Sequence, residues 1–201
     1  MEASDQDLLE RAQKGDGPAF DALVNRHYSR IYGLAYRFLG NRDEAADATQ
    51  ETFLKAFQQL SRFRGRSAFG TWLFRICVNC CQDILRKRRE IAVSQLDGNE
   101  SEDMSVWDPN EGNPDELISE RERARAIQKA LAQLDPDFRQ VLILCDMEGL
   151  TYSEVAEILR IPEGTVKSRL HRARWAFKEV WVRTSEEQGR TADRQKRGES
   201  L

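Results

Sequence analysis

Hydrophobic residues recur at intervals of three and four along most of this sequence, which is the spacing of helices with one buried face. In the N-terminal half this pattern predicts four helices. Ser4 or Asp5 caps the first helix, and Gly40 ends the second. A third helix covers about residues 43–60, and a fourth begins after Ser67 and ends in a run of basic residues.

The C-terminal half is also predicted to be helical, with shorter connections. One helix covers about residues 116–134. Asp135 followed by Pro136 provides a cap and a first-turn proline for the next helix, which Gly149 ends. Two more helices follow in tandem, and we expect the polar residues beyond Thr184 to form a frayed tail.

An acidic segment separates the two groups of helices. Residues 91–119 contain eight acids and no Lys or Arg, so with −3 on the whole chain and −8 here, the remainder carries +5. Its turn-forming residues and charge predict a flexible segment. The predicted fold class is therefore all-α: two small helical domains over residues 1–92 and 116–184, an acidic linker over residues 93–115, and a polar tail over residues 185–201.

The tandem helices have the pattern of a DNA-binding helix-turn-helix. Thr151 and Glu154 form a capping box, and a short break ending at Pro162 precedes the second helix. The outer side of that helix presents polar and cationic side chains that suit bases and phosphates, among them Lys167, Ser168, His171, Arg172 and Arg174. A charged face is also what a merely solvated helix shows, but the capping box and the short break favour DNA binding.

A second candidate site for nucleic acid lies in the N-terminal half. The segment over residues 63–89 combines a basic loop, several aromatic residues and a basic cluster, which together suit unwound DNA. Aromatic residues at helical spacing are more often core, so we assign Phe69 and Phe74 to packing. The candidates for base contacts are Phe63, Arg64, Trp72 and Asn79.

Composition narrows the chemistry further. Cys77, Cys80 and Cys81 include the CxxC spacing of zinc and redox sites, but they lie on the predicted inward side of a helix with no fourth ligand nearby. We interpret them as reduced core residues and expect no metal and no cofactor.

The sequence contains no nucleotide-binding glycine loop and no Ser, His and Asp arrangement typical of catalysis, so we expect no enzymatic activity. It has no apolar run of the roughly 20 residues that span a bilayer, which predicts a cytoplasmic protein without membrane insertion.

Two long stretches resemble a known family. Residues 43–57, DEAADATQETFLKAF, and residues 63–76, FRGRSAFGTWLFRI, resemble region 2 of the extracytoplasmic-function sigma factors, which belong to the sigma-70 family. Residues 134–156 and 164–170 resemble region 4 of the same family. The resemblance implies a factor that binds core RNA polymerase and directs promoter-specific initiation in a stress or envelope response.

The resemblance also implies a role for particular residues. Those implied to contact the beta-prime clamp helices of the polymerase are Asp47, Gln50, Glu51 and Lys55. Those implied to capture a flipped base of the minus-ten element are Phe63, Arg64, Ser67, Trp72 and Asn79. Those implied to read the minus-thirty-five element are Thr165, Lys167, Ser168, His171 and Arg172. Further implied partners are the polymerase beta flap and an anti-sigma factor, which could hold the protein near the membrane; polymerase would carry it to the nucleoid.

Two other functions are compatible with parts of the sequence. A stand-alone helix-turn-helix regulator would bind its operator without polymerase and use the first domain for dimerisation or ligand sensing. A redox or zinc sensor would use Cys77, Cys80 and Cys81. The first predicts specific DNA binding by the isolated protein, and the second predicts bound zinc or thiol-dependent activity.

Overall fold

The computed structural model describes residues 3–65, 67–94 and 114–198. The chain divides into two compact units, Met1–Ser105 and Val106–Leu201. Within the described ranges all regular secondary structure is helical, as the sequence predicts. The helices of the first unit are α1 Asp5–Gln13, α2 Gly17–Leu39, α3 Arg42–Gln59 and α4 Phe69–Ser94, with a 3-10 turn at Leu60–Arg62. Those of the second are α5 Pro114–Ala132, α6 Pro136–Leu142, α7 Tyr152–Leu159 and α8 Glu163–Gly198, with a π-helical segment at Ile143–Met147.

Local signals position the ends of several helices as predicted. Ser4 caps α1 in a capping box with Asp7, and Asp135 caps α6 with Pro136 in the first turn. Gly40 ends α2 with a φ of 72°, a left-handed conformation that glycine adopts without steric cost. These helix ends are therefore encoded by adjacent residues.

The first unit is a helical bundle in which α2, α3 and α4 surround a common core. Phe38, Leu34 and Leu73 are among its fully buried side chains. The face of α3 toward this core consists largely of small residues, Ala45, Ala48, Thr49, Thr52 and Ala56. Both buried threonine hydroxyls donate to backbone oxygens one turn earlier, at 2.6 Å, so no polar group is left unsatisfied there. Small side chains let α3 lie close to its neighbours.

The second unit packs α5, α6 and α7 against the first half of α8. Leu131, Val141, Val155 and Ile158 meet the buried face of α8, which consists of Val166, Leu170 and Ala173. Burying aliphatic side chains of this size contributes about 1.5–3 kcal/mol each. The packing thus holds α8 with its opposite side toward solvent.

Three helix ends differ from the approximate positions that the sequence predicts. The fourth helix continues to Ser94, the fifth begins at Pro114, and the last continues to Gly198 where a frayed tail was expected. Polar residues such as Glu, Gln and Arg are good helix formers, so a loss of hydrophobic periodicity does not end a helix. Both edges of the predicted linker are thereby helical, while residues 95–113 lie outside the described residues.

In the part of the chain that the structure describes, no helix has the length and apolar composition needed to cross a bilayer.

Candidate nucleic-acid and polymerase interfaces

The helix-turn-helix is formed by α7, the turn at residues 160–162, and the start of α8. The Thr151 hydroxyl accepts a hydrogen bond from the Glu154 amide at 3.3 Å, and the Glu154 carboxylate accepts one from the Thr151 amide at 2.9 Å. Arg160 ends α7 with a φ of 55°, which reverses the chain direction. The Pro162 carbonyl then accepts from the Thr165 amide at 2.9 Å and begins α8. Short-range hydrogen bonds therefore define both sides of the turn.

The predicted minus-thirty-five residues lie together on the outer side of α8. Lys167, Ser168, His171 and Arg172 are exposed, and Thr165 is half-buried. Lys167 forms an ion pair with Glu163 at 3.4 Å and lies 5.7 Å from the Tyr152 ring centroid. Among the described residues neither His171 nor Arg172 has a hydrogen bond or ion pair, so both side chains are available to an external ligand.

Arg174, for which the sequence predicts a DNA contact, is exposed and forms an ion pair within the protein. Its guanidinium donates two hydrogen bonds to the Asp146 carboxylate, at 2.8 and 2.6 Å. Those bonds and the negative charge of Asp146 raise the pKa of Arg174 above its usual value. Because Asp146 belongs to the π-helical segment, this pair connects α8 to the preceding element.

Trp175 is a surface residue that sequence reasoning missed. Its side chain is 57% exposed. It follows His171 by four residues and Ser168 by seven, so it lies on the same outer face of α8. The helical spacing alone would have identified it.

The aromatic residues around the 60–69 loop form one cluster. Phe63 lies 4.9 Å from Trp72 and 5.8 Å from Phe69 between ring centroids, and His27 makes an edge contact with Phe69 at 5.4 Å. Phe69 and Phe74 are buried, as expected of packing residues. We call Phe63, Phe69 and Trp72 the aromatic cluster. Phe63 and Phe69 lie at the two ends of the loop, and Trp72 lies in the first turn of α4.

The other predicted minus-ten residues lie in the adjoining loop and farther along α4. Arg64 is exposed, whereas Ser67, Trp72 and Asn79 are half-buried. Gly65 has a φ of 65°, a left-handed conformation that favours glycine. Asn79 follows Trp72 by two helical turns, which separates their backbones by about 10 Å. Trp72 and Asn79 therefore lie on the same side of α4.

The predicted polymerase contacts lie on the outer face of α3. Asp47, Gln50 and Glu51 are exposed, and Lys55 pairs with Glu51 at 3.2 Å. Burial by itself would lower the pKa of Lys55, but the hydrogen bond to Glu51, the charge of Glu51 and the interactions with Cys80 together raise that pKa above its usual value.

Two large hydrophobic residues accompany them and were missed in sequence. Leu54 is 50% exposed and Phe57 is 57% exposed. Exposed apolar side chains that adjoin polar ones are typical of protein interaction surfaces. Both residues fall within the stretch that resembles region 2, so the sequence contained the signal.

The second unit also contains an apolar cavity of about 500 Å³. Its lining comes from α5, from α6 with the π-helical segment, and from α8, and includes Ile127, Leu131, Leu142, Met147, Phe177 and Trp181. Met147 is 39% exposed at this site. Positive side chains at its edge include Arg123 and Lys178.

The three cysteines of α4 are buried. The hydrogen bond with Cys77, followed by burial, raises the pKa of Cys81 well above its usual value, and burial raises that of Cys80. The protonated thiol is thus strongly favoured at these two positions, which opposes metal binding and nucleophilic reactivity. Across the described ranges no three His, Cys, Asp or Glu side chains converge to hold a metal ion.

A helix-turn-helix with a cationic outer face in one unit, and a basic loop on an aromatic cluster in the other, define a two-unit DNA-binding protein. Family models agree with this division: Sigma-70 region 2 matches residues 23–91, and Sigma-70 region 4 matches residues 124–177.

Individual sigma factors are similar to this chain over most of its length. RNA polymerase sigma-H factor of Pseudomonas aeruginosa is 39% identical over 178 residues, with 86% of this chain and 91% of that protein covered. ECF RNA polymerase sigma-E factor of Escherichia coli is 38% identical over 177 residues, with 87% and 92% covered. ECF RNA polymerase sigma factor SigE of Mycolicibacterium smegmatis is 36% identical over 175 residues, covering 87% of this chain and 66% of that protein.

Solved structures extend the likeness to the fold. The sigma factor RpoE of Bartonella quintana, in complex with the anti-sigma factor NepR, has a TM-score of 0.65 at 28% identity, covering 80% of this chain and 95% of that one. CnrH in complex with the cytosolic domain of CnrY has a TM-score of 0.62 at 27% identity, covering 88% and 96%. The chain belongs to the sigma-70 family, in its extracytoplasmic-function class. Members of this family are transcription initiation factors and not enzymes.

Proposed function

We propose that the chain binds core RNA polymerase and directs it to promoters through two DNA-reading surfaces, one in each unit. The observation that carries this proposal is the exposed His171 and Arg172, both without partners among the described residues, on the second helix of a helix-turn-helix. The match to region 2 over residues 23–91 disfavours a stand-alone regulator, because such a regulator needs no polymerase-binding domain.

The outer face of α8 reads the minus-thirty-five element in this proposal. The N-terminal turns of a recognition helix lie nearest the bases in a major groove. Arg172 is suited to donate to a guanine edge, while Thr165, Ser168 and His171 contact neighbouring bases or phosphates. Lys167 is partly neutralised by Glu163 and is better suited to a phosphate.

The loop on the aromatic cluster captures a base of the minus-ten element. Exposed bases stack on aromatic side chains, and Arg64 beside Phe63 supplies a positive charge for the backbone. Ser67, Trp72 and Asn79 complete the set, with hydroxyl, indole and amide groups for base edges. Capture of a flipped base favours the melted promoter because it stabilises the unpaired state.

Two surfaces serve polymerase binding. The outer face of α3 offers Asp47, Gln50, Glu51 and Lys55 to the beta-prime clamp helices, with Leu54 and Phe57 as apolar anchors. The apolar cavity of the second unit accepts a segment of the beta flap. Large apolar residues rimmed by polar ones are the usual composition of an interface core.

An anti-sigma factor that covers these surfaces would keep the protein inactive in the cytoplasm, or close to the membrane, until a stress or envelope signal arrives. The RpoE structure described above contains the anti-sigma factor NepR. We infer regulation of the same kind for this chain.

Run-off transcription with core polymerase on a genomic promoter library tests the proposal. Wild-type protein should give start-site-specific transcripts, Arg172→Ala should change which upstream elements are used, and Asn79→Ala should reduce output from the same start sites. Lys14→Ala, which removes one exposed positive charge just after α1, is the control. Failure of the purified chain to associate with core polymerase, or association without new start sites, would refute the proposed function.

A further inference from the structure

Gln13, the last residue of α1, connects that helix to the start of the recognition loop. Its side-chain amide nitrogen donates to the Leu60 carbonyl at 3.0 Å and to the Phe63 carbonyl at 2.9 Å. These partners are 47 and 50 residues away in sequence. One carboxamide group has two donor hydrogens, so both are used here.

The two acceptors lie at either end of the 3-10 turn that follows α3. Leu60 is the C-cap of α3, where helix carbonyls lack intrahelical partners. Its carbonyl also accepts from the Phe63 amide at 3.1 Å. Gln13 therefore fixes the turn at its entrance and at its exit, and the exit residue is Phe63 of the aromatic cluster.

A second contact from α1 supports the other end of the loop. The Asp5 carboxylate lies 2.8 Å from Nε2 of His27, and the His27 ring contacts Phe69 at a centroid distance of 5.4 Å. Gly70, the next residue, lies against the same ring, because a Cβ added there would be 3.7 Å from it. The two ends of residues 60–69 are thus both held from α1, one directly and one through His27.

Helix α1 is itself well attached. Leu8, Leu9 and Ala12 are buried, and Asp5 also pairs with Arg26 of α2. Because α1 is fixed in this way, the hydrogen bonds of Gln13 can hold the start of the loop in one position.

We propose that Gln13 is a positioning residue for minus-ten recognition: its carboxamide fixes the Leu60–Arg62 turn so that Phe63 and the aromatic cluster are preformed for base capture. The inference rests on the proposed function of the loop. It assigns to α1, which lies before the region 2 match, a part in promoter melting.

Gln13→Glu is the sharpest test, because it keeps the size of the side chain and replaces its two donors with acceptors that face the carbonyls. Gln13→Ala removes the group altogether. Glu10→Gln is the matched control, an isosteric exchange at another exposed position of α1. Each full-length variant is combined with core polymerase on a promoter that the wild-type holoenzyme selects in run-off transcription.

Three quantities separate positioning from general damage. Affinity for core polymerase and protection of the upstream promoter element should equal those of wild type. Permanganate reactivity of thymines in the melted minus-ten region should fall about tenfold in Gln13→Ala, since losing two hydrogen bonds shifts a local equilibrium by about that factor. It should fall further in Gln13→Glu, because the carboxylate oxygens also repel the two carbonyls. Discrimination against a substituted minus-ten base should fall in parallel, which destabilisation of the fold alone does not produce.

Unchanged melting and unchanged base discrimination in both Gln13 variants would overturn the inference, and so would an equal loss of core binding. Asn79→Ala and Arg64→Ala, measured beside them, report on the proposed function itself. If those two leave melting unaltered, the loop does not capture a base; if they impair it while Gln13→Glu does not, only the role of Gln13 is wrong.

Discussion

Replacing Arg172 with alanine should remove discrimination at one position of the promoter without disturbing the fold. The Arg172 side chain is exposed and, within the described ranges, forms no ion pair or hydrogen bond, so its loss costs the native state almost nothing. All of its effect should therefore appear in DNA binding. A bidentate contact with a guanine edge contributes about 1–3 kcal/mol of discrimination against other bases, which corresponds to about 5- to 150-fold in affinity.

Lys167 lies on the same helix face, and the effect of replacing it can be compared with that of replacing Arg172. Its ammonium group pairs with Glu163 one turn away, at 3.4 Å. An exposed ion pair of this spacing contributes about 0.3–0.5 kcal/mol. Breaking it so that Lys167 can bind a phosphate therefore lowers the affinity for DNA by roughly a factor of two. We expect Lys167→Ala to weaken binding to all upstream sequences alike and to lower the salt dependence by about one phosphate contact.

The assay is competition binding of the holoenzyme to promoters in which each upstream position carries each of the four bases, repeated at several salt concentrations. Arg172→Ala should flatten the preference at one position and keep it elsewhere. Lys167→Ala should keep every preference and change only the salt slope. Loss of preference at no position in Arg172→Ala, or at several positions in Lys167→Ala, would refute the assignment of base and phosphate contacts.

Three further predictions follow from local interactions. Thr151→Ala should destabilise the start of α7 by about 1 kcal/mol, seen as faster amide exchange at Glu154, whereas Thr151→Ser should restore protection; equal exchange in both would contradict the capping role. Burial by itself would raise the pKa of Asp5, but hydrogen bonds from Arg26 and His27 lower this pKa below 3.8. The Asp5 carboxylate should therefore stabilise α1 fully above pH 3.8, and this stabilisation should decline as the pH falls through the folded-state pKa. Chemical shifts of the Leu8 methyls should record this decline and be pH-independent there in Asp5→Asn. Burial and Asp146 raise the pKa of Cys145 to about 11, so thiol labelling of this half-buried residue should be slow at pH 8 and accelerate about tenfold per pH unit; fast labelling at pH 8 would contradict this.

The sequence predicted those features that depend on neighbouring residues. Ser4, Gly40 and Thr151 each act within about one helical turn, so caps and turns were correctly located. Helical periodicity also identified the exposed face that carries His171 and Arg172. Helix ends without a glycine or proline signal, such as Ser94, could not be located, because polar residues are common both inside helices and beyond their ends.

Interactions between distant residues were beyond sequence reasoning. Arg174 has the spacing of a DNA contact, but the fold places Asp146, 28 residues earlier, within hydrogen-bonding distance. Gln13 looked like an ordinary exposed polar residue until the fold brought the Leu60 carbonyl to it. A side chain's partner depends on the tertiary arrangement, and periodicity specifies only the face on which it lies.

Each unit has its own buried core, which supports the DNA-reading surface proposed for that unit. Leu170 and Val155 hold α8 in the second unit, while Phe38 and Leu73 hold the helices that carry the aromatic cluster in the first. Residues that share no neighbours make nearly additive contributions to stability. Promoter use, in contrast, requires both surfaces on one polymerase, so losses at the two elements multiply in the rate of initiation. A chain built in this way can change either DNA preference by substitution at an exposed face without compromising the other unit's fold.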